Sequence, residues 1–150
     1  MKLYVNQIRA VERGSTLVEF SIAASVFFVA LFGVLEVSRM LWTYNAIADG
    51  VRQGARFAVL NSPGSAAAVQ NVVVYGTAAP AQNAAPIVYG LTTNHVAVVY
   101  NNLGVRQGTV SVTVTGFSFQ FLTMPSVFGT SLTFPAYQVS MPGESAGFTP

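Results

Sequence analysis

Residues 20–35 read FSIAASVFFVALFGVL and contain no charged side chain. Two acids, Glu19 and Glu36, flank this run, one at each end. A helix needs about 20 mostly apolar residues to cross the hydrocarbon core of a bilayer. A small soluble domain would be unable to cover such a helix on every side. The run therefore predicts a membrane-spanning helix over about residues 17–42.

Basic residues orient the predicted span. Lys2, Arg9 and Arg13 all precede the apolar run, and segments that carry Lys and Arg stay in the cytoplasm. We therefore expect a cytoplasmic N-terminus and an exported C-terminal part. Trp42 and Tyr44 follow the run where aromatic side chains favour the membrane–water interface. The run is longer than that of an ordinary secretory signal, and no A-x-A cleavage pattern follows it.

The composition argues against several classes of protein. The chain has no cysteine, which excludes disulfides, thiolate metal sites and cysteine nucleophiles. Beyond Arg56 the only formal charges are Arg106 and Glu144, so the clustered Lys and Arg that a nucleic-acid partner requires are missing. His95 is the only histidine, and we interpret it as structural. With no nucleophile elbow, P-loop or dinucleotide-binding glycine pattern, we predict no enzyme, metal, cofactor or nucleic-acid partner.

The helix is predicted to continue past the membrane to Leu60, because residues 36–60 lack proline and NSPGS follows at 61–65. One apolar stripe of this amphipathic part follows helical spacing: Met40, Tyr44, Ile47, Val51, Ala55 and Ala58. A second face carries a small residue at every fourth position: Ala46, Gly50, Gly54 and Ala58. Each glycine inside a helix costs about 1 kcal/mol relative to alanine, so we expect a close neighbour that offsets the loss. That neighbour is either another helix or the chain's own β domain.

The charged side chains of this second part are predicted to lie on its surface. Arg52 and Arg56 are one turn apart, and Asp49 precedes Arg52 by three positions. Glu36 and Arg39 have the same spacing of three. Pairs at this spacing stabilise a helix only weakly, so we interpret them as local ion pairs and not as a catalytic cluster.

Residues 61–150 are predicted to form a β-rich domain. The segment AAAVQNVVVY at 66–75 fits a short helix or a strand. Three later segments have strand patterns: HVAVVYNNLG at 95–104, GTVSVTVTGFSFQFL at 108–122 and SLTFPAYQVSM at 131–141. The alternation slips by one residue at Gly116, which predicts a bulge, and Pro135 predicts an edge or bent strand. We expect an α+β fold in which a small antiparallel sheet packs on the second half of the helix, since such a sheet is marginally stable alone.

The start of the apolar run resembles a processing site of bacterial pilins. Gly14 is followed by four residues and then by Glu19 and Phe20, a pattern that resembles the prepilin-peptidase site of tight-adherence (Tad/Flp) type IV pilins. Two further segments, FGVLEVSR at 32–39 and GARFA at 54–58, are similar to the TadE-like family of minor pilins, or pseudopilins. The resemblance covers Arg13 to Leu60 specifically and the rest of the chain loosely.

The resemblance implies a division of the chain into three parts. Residues 1–14 would be a cytoplasmic leader that a prepilin peptidase removes before Ser15. Residues 15–60 would be the long helix, and residues 61–150 a periplasmic domain with a pilin-like fold. The implied processing site is Gly14, Ser15, Glu19 and Phe20.

The resemblance also implies how subunits assemble. Glu19 is expected to pair with the new amine of a neighbouring subunit, and a helix-start or interface acid is the alternative for this residue. The implied packing and assembly positions are Glu19, Ala46, Gly50, Gly54 and Ala58.

The function implied by the resemblance is that of a minor pilin that primes or caps a Tad/Flp adhesive pilus. The protein would span the bacterial inner membrane once and would stay there or enter the pilus. Its implied partners are the prepilin peptidase, other minor and major pilins, the inner-membrane assembly platform and the lipid bilayer. The alternative is an unprocessed single-pass inner-membrane anchor or binding protein with a periplasmic β domain.

Overall fold

The computed structural model describes residues 2–61, 63–101, 108–122 and 129–142, with side chains from residue 14 onward except that of residue 63. In the described chain, helices α1 (Lys2–Leu60) and α2 (Ala66–Tyr75) are joined by a 3₁₀ turn at Pro63–Ser65. A second 3₁₀ turn at Thr93–His95 precedes the described strands. These are β1 (Val96–Asn101), β2 (Thr109–Val114), β3 (Ser118–Gln120), β4 (Ser131–Thr133) and β5 (Tyr137–Pro142). The end of the segment predicted as a strand at 95–104, residues 102–104, lies outside the described residues.

Helix α1 is long because no residue in it prevents helical hydrogen bonding. The first proline of the chain is Pro63, so every backbone N–H of α1 is able to donate. The helix ends at Leu60 as predicted, and the side-chain amide of Asn61 donates to the carbonyl oxygen of Phe57 at 2.8 Å. That bond satisfies one of the carbonyls left free at a helix end. At its other end α1 begins at Lys2, so residues 2–14 continue into the apolar run without a break.

The two halves of α1 differ in burial. Residues 14–35 are exposed, with two half-buried exceptions. From Glu36 onward buried positions recur on one side, where Val51 and Ala55 are completely buried and Ile47 is nearly so. The predicted apolar stripe is therefore confirmed as the face of α1 that packs on the rest of the chain.

The main sheet has the strand order β1-β2-β5, and both pairs are antiparallel. Its central strand alternates, with Val110, Val112 and Val114 buried in the core that includes the second half of α1. Ser111 points to the outer face, where its hydroxyl lies 2.6 Å from that of Ser140 in β5. The predicted α+β architecture, a long helix against a small antiparallel sheet, is confirmed.

The predicted bulge at Gly116 is wrong. Strand β2 ends at Val114, and the chain turns at Gly116, whose φ of 72° lies in the left-handed region that glycine adopts at little cost. Strand β3 then pairs with β4 in a separate two-stranded sheet, with Phe119 opposite Leu132. The slip in the apolar–polar alternation marks the point where the chain passes from one sheet to the other. The side of β3 that faces the core is set by the second sheet and is independent of the alternation in β2.

The segment at 131–141, predicted as one bent or edge strand, is two strands in two different sheets. Strand β4 ends at Thr133 and β5 begins at Tyr137, with Pro135 between them. The N–H of Phe134 donates to the carbonyl oxygen of Phe117 at 2.9 Å. Pro135 has no N–H to donate to a further hydrogen bond of this kind. The pairing of β4 with β3 therefore does not extend beyond Phe134.

The segment at 66–75, for which helix and strand were both open, is helix α2. Gly76 ends it with a φ of 75°, and the N–H of Gly76 donates to the carbonyl oxygen of Val72 at 2.9 Å. Helix α2 contacts both α1 and β1, and the side-chain amide of Gln70 donates to the carbonyl oxygen of Val96 at 2.9 Å. The core therefore lies between the second half of α1, α2 and the main sheet.

Candidate membrane and assembly surface

The predicted processing site lies on the uncovered half of α1. Gly14, Ser15, Glu19 and Phe20 are all exposed, and a Cβ atom placed on Gly14 would have no heavy atom within 4 Å. Glu19 forms no ion pair with any other side chain that the structure describes. The peptide bond between Gly14 and Ser15 is helical. These residues are accessible to a membrane protease or to another helix, and their role stays a prediction.

The exposed half of α1 is apolar around its whole circumference. Val26, Phe27, Phe28 and Val29 extend over more than one 3.6-residue turn, and each exposes at least 52% of its surface. The most apolar 18-residue window of the helix has a mean hydropathy of 2.2 and no buried residue. Exposed apolar surface of this extent indicates a lipid or protein partner. In length and composition, this one apolar helix fits a single-pass membrane protein.

Three serine hydroxyls in or just after the apolar half are satisfied by the helix itself. The hydroxyls of Ser21 and Ser25 each donate to the backbone carbonyl four residues earlier at 2.7 Å. Ser38 does the same at 2.8 Å. Polar groups need internal partners in lipid, so these serines are compatible with an apolar surrounding.

A polar junction marks the point where α1 enters the folded domain. Glu36 is only 3% exposed, and its Oε1 accepts hydrogen bonds from the guanidinium of Arg39 and from the backbone N–H of Leu122, the latter at 3.2 Å. Arg39 also donates to the carbonyl oxygen of Gln120. The guanidinium carbon lies 4.5 Å from the centre of the Phe119 ring. Glu36 and Arg39, termed here the junction pair, thus hold the backbone that follows β3.

The expectation that both members of the junction pair lie on the surface is wrong for Glu36. A buried carboxylate is costly unless hydrogen bonds and a counter-charge compensate for the lost water. Arg39 supplies the charge, and the backbone of residues 120–122 supplies both the cover and a further donor. The spacing of three indicated the ion pair. No local signal indicated the cover, because Leu122 is 86 residues away in the sequence.

The predicted pair of Asp49 and Arg52 is present and exposed. Arg52 donates to the Asp49 carboxylate at 2.8 Å, and both side chains expose more than half of their surface. Solvent screens such pairs, so this one contributes little to stability.

The small-residue face of α1 is covered by α2 of the same chain. A Cβ atom on Gly50 would lie 2.8 Å from the carbonyl oxygen of Val73, and one on Gly54 would lie 2.4 Å from a Val73 methyl. Ala58 is buried and Ala46 half-buried. The close neighbour expected from the glycine spacing therefore belongs to the chain's own domain at 61–150, the second of the two alternatives, and it is a helix of that domain. Any additional part in subunit assembly stays a prediction.

Trp42 and Tyr44, the two aromatic residues predicted for the membrane interface, have different surroundings. Trp42 is 61% exposed. Tyr44 is half-buried, with ring centres 5.7 Å from Phe134 and 5.9 Å from Tyr137. Two residues turn a helix by about 200°, so the two rings cannot share a face. Tyr44 packs against the rings of the domain, and the interfacial placement of both residues stays a prediction.

His95 has a local structural role. Its Nδ1 accepts a hydrogen bond from the backbone N–H of Thr92 at 3.1 Å, which caps the turn before β1. The ring also borders an open groove of about 480 Å³, together with Arg39, Trp42 and Tyr89. Among the described residues, no three histidine, aspartate or glutamate side chains are grouped so as to hold a metal ion.

The family comparison matches the segment that carries this surface. Residues 14–56 match the family described as TadE-like protein. Over these residues the chain is similar to that family, and the predicted resemblance is confirmed for this segment. No curated protein and no solved structure matches the chain significantly.

The limits of the TadE-like segment coincide with structural features. The segment begins at Gly14, includes the apolar half of α1 and the junction pair, and ends at Arg56 beside the small-residue face. Helix α2 and every described strand lie beyond it. The segment therefore comprises the exposed apolar half of α1 and most of the half that packs in the core, without α2 or any described strand.

Proposed function

We propose that the protein is a minor pilin, or pseudopilin, that a prepilin peptidase cleaves and that takes part in priming or capping a Tad/Flp pilus. The observation that carries this proposal is the segment that matches the TadE-like family, in which Gly14 and Glu19 lie at the start of the half of α1 that is apolar on every side. The protein would sit in the inner membrane with its N-terminus in the cytoplasm and its domain in the periplasm. Neighbouring pilins and the assembly platform would then contact the apolar half of α1.

Removal of the leader would change how firmly the chain is held in the membrane. Cleavage after Gly14 deletes Lys2, Arg9 and Arg13, the charges that keep this end on the cytoplasmic side. It also creates an amine at Ser15. An apolar helix without those charges is more readily transferred from lipid to a bundle of similar helices.

The processing step is tested by determining the N-terminus of the mature protein. The chain is expressed with and without a prepilin peptidase, and its N-terminal sequence and intact mass are measured. We expect a start at Ser15 with the peptidase and at Met1 without it. A start at Met1 in the presence of the peptidase, or a start after residue 40, contradicts the proposal.

One structural observation favours a second candidate, an unprocessed membrane anchor with a periplasmic binding domain. Helix α1 runs from Lys2 through the bond between Gly14 and Ser15 without a break, and a protease must unwind a helical bond before it cuts. Deletion of the gene distinguishes between the two candidate functions. Loss of pili supports the minor pilin, and normal pili together with an intact leader support the anchor.

A further inference from the structure

Two exposed apolar side chains near the junction pair belong neither to the domain core nor to the apolar half of α1. Leu122, two residues after the end of β3, is 71% exposed, and Trp42 on α1 is 61% exposed. Tyr89 borders the same groove as Trp42 and is 96% exposed. Single exposed apolar residues are common, so the position of Leu122 relative to the span decides whether it has a role.

The junction pair places Leu122 at the end of the apolar run. The backbone N–H of Leu122 donates to Glu36, and Glu36 directly follows Leu35, the last residue of the uncharged run. From Leu17 to Leu35 the helix rises about 27 Å at 1.5 Å per residue, close to the roughly 30 Å of a hydrocarbon core. If the run spans the membrane, Leu122 therefore lies at the outer boundary of the hydrocarbon.

The charge distribution allows this part of the domain to touch lipid. Residues 107–143 contain no formally charged side chain. The charged groups beside Leu122 are Glu36 and Arg39, which are paired with each other. Trp42 lies about 9 Å further along the helix than Glu36, at the level where indole rings favour the headgroups.

We propose that residues 121 and 122, directly after β3, form a second membrane contact of this chain, with Leu122 inserted at the headgroup–acyl boundary of the leaflet on the domain side. The partner is the bilayer that α1 itself crosses. Glu36 and Arg39 are positioning residues, since they hold residues 120–122 at this depth. The inference rests on the membrane-spanning part of the proposed function and is independent of the pilus role. It gives the domain a fixed height and tilt above the membrane, which one helix without a second contact would leave free.

Site-directed spin labelling tests the contact, because the chain has no cysteine of its own. The full chain carries a nitroxide at Leu122→Cys, in nanodiscs of phosphatidylcholine and phosphatidylglycerol. Phe28→Cys in the middle of the apolar run is the lipid reference, and Gln138→Cys on the outer face of β5 is the water reference. Collision rates are measured with oxygen, which concentrates in lipid, and with a water-soluble nickel complex.

We expect the oxygen-to-nickel collision ratio at residue 122 to be several times that at residue 138 and below that at residue 28. A ratio equal to that at residue 138 overturns the proposal. Low collision rates with both reagents would show that a second copy or another protein covers Leu122, which also overturns it. If residue 28 itself gives the ratio of water, the span fails, and that result is distinct from failure at Leu122 alone.

Variants of Glu36 test the positioning role. In the Leu122→Cys background, Glu36→Gln keeps a side-chain oxygen that accepts from the N–H of Leu122 and should keep the ratio near its original value. Glu36→Ala removes that acceptor and should lower the ratio towards that at residue 138. Circular dichroism of the Glu36→Ala variant reports whether the sheet is still folded. An unchanged ratio in Glu36→Ala with a folded sheet contradicts the positioning role.

Discussion

Two glutamates flank the apolar half of α1, and their surroundings differ completely. Glu19 is exposed and forms no ion pair with a described side chain. Glu36 is buried, with Arg39 and the backbone of Leu122 as hydrogen-bond donors. A carboxylate at a lipid boundary is costly unless it is paired. Among the described side chains Glu36 has its counter-charge, whereas Glu19 has none and is available for a partner outside the chain.

This contrast predicts the effect of replacing Glu19. Glu19→Ala should leave cleavage after Gly14 intact, because the carboxylate lies on the far side of the cut. Assembly should be impaired, because the carboxylate would no longer pair with the amine of a neighbouring subunit. Cleavage is measured by intact mass, and assembly by the amount of pili sheared from cells.

The matched control for Glu19→Ala is Glu12→Ala, which alters an acid that cleavage removes from the chain. It should support normal piliation. Normal piliation in Glu19→Ala would contradict the pairing role and favour the helix-start alternative for this residue.

At the scale of elements, the two halves of helix α1 have different surfaces. Its first half is apolar on every side, and its second half has one buried stripe and one face of small residues. The small-residue face brings α2 close enough that a Cβ atom on Gly50 would meet the backbone of Val73. Glycine is therefore used in α1 for close approach, and that contact offsets its cost to the helix.

This packing predicts that Gly50→Ala destabilises the folded domain. The added Cβ would lie 2.8 Å from a backbone oxygen of α2, which cannot rotate away. Overpacking costs about 1 to 3 kcal/mol, and the gain in helix propensity offsets about 1 kcal/mol of that. We expect the free energy of unfolding to fall by about 1 kcal/mol, measured by urea denaturation in detergent micelles.

Gly33→Ala is the control for this prediction, because a Cβ atom there would have no heavy atom within 4 Å. Its domain should unfold at the same urea concentration as the unaltered chain. Equal stability of the two variants would show that α2 moves aside without cost.

At the scale of the molecule, the chain is a folded unit carried on an apolar helix that projects from it. The core is built from α2, the main sheet and the second half of α1, while residues 14–35 contribute nothing to it. The domain has few charges on its outer face and is joined to the apolar half by the junction pair. Folding of the domain and insertion of the span are therefore separable.

We predict that a chain beginning at Gly33 is soluble without detergent and keeps the fold of the domain. The residues removed make no contact in the core, so the circular dichroism of the strands and the cooperativity of unfolding should persist. Size-exclusion chromatography in plain buffer checks the first expectation, and urea denaturation checks the second. Aggregation of the shortened chain, with the full chain well folded in micelles, would show that the apolar half supports the domain.

Sequence alone determined the apolar span, the continuation of the helix to Leu60, the apolar stripe through Val51 and the TadE-like segment. Each of these features depends on residues that are close together in the chain, so it can be predicted from hydropathy and residue spacing. Tertiary structure alone decided the burial of Glu36, the change of sheet at Gly116 and the closeness of α2 to Gly50. These depend on groups that are distant in sequence, such as Leu122 beside Glu36. Local patterns carry no information about which distant backbone will cover a charge or occupy the space that a glycine leaves.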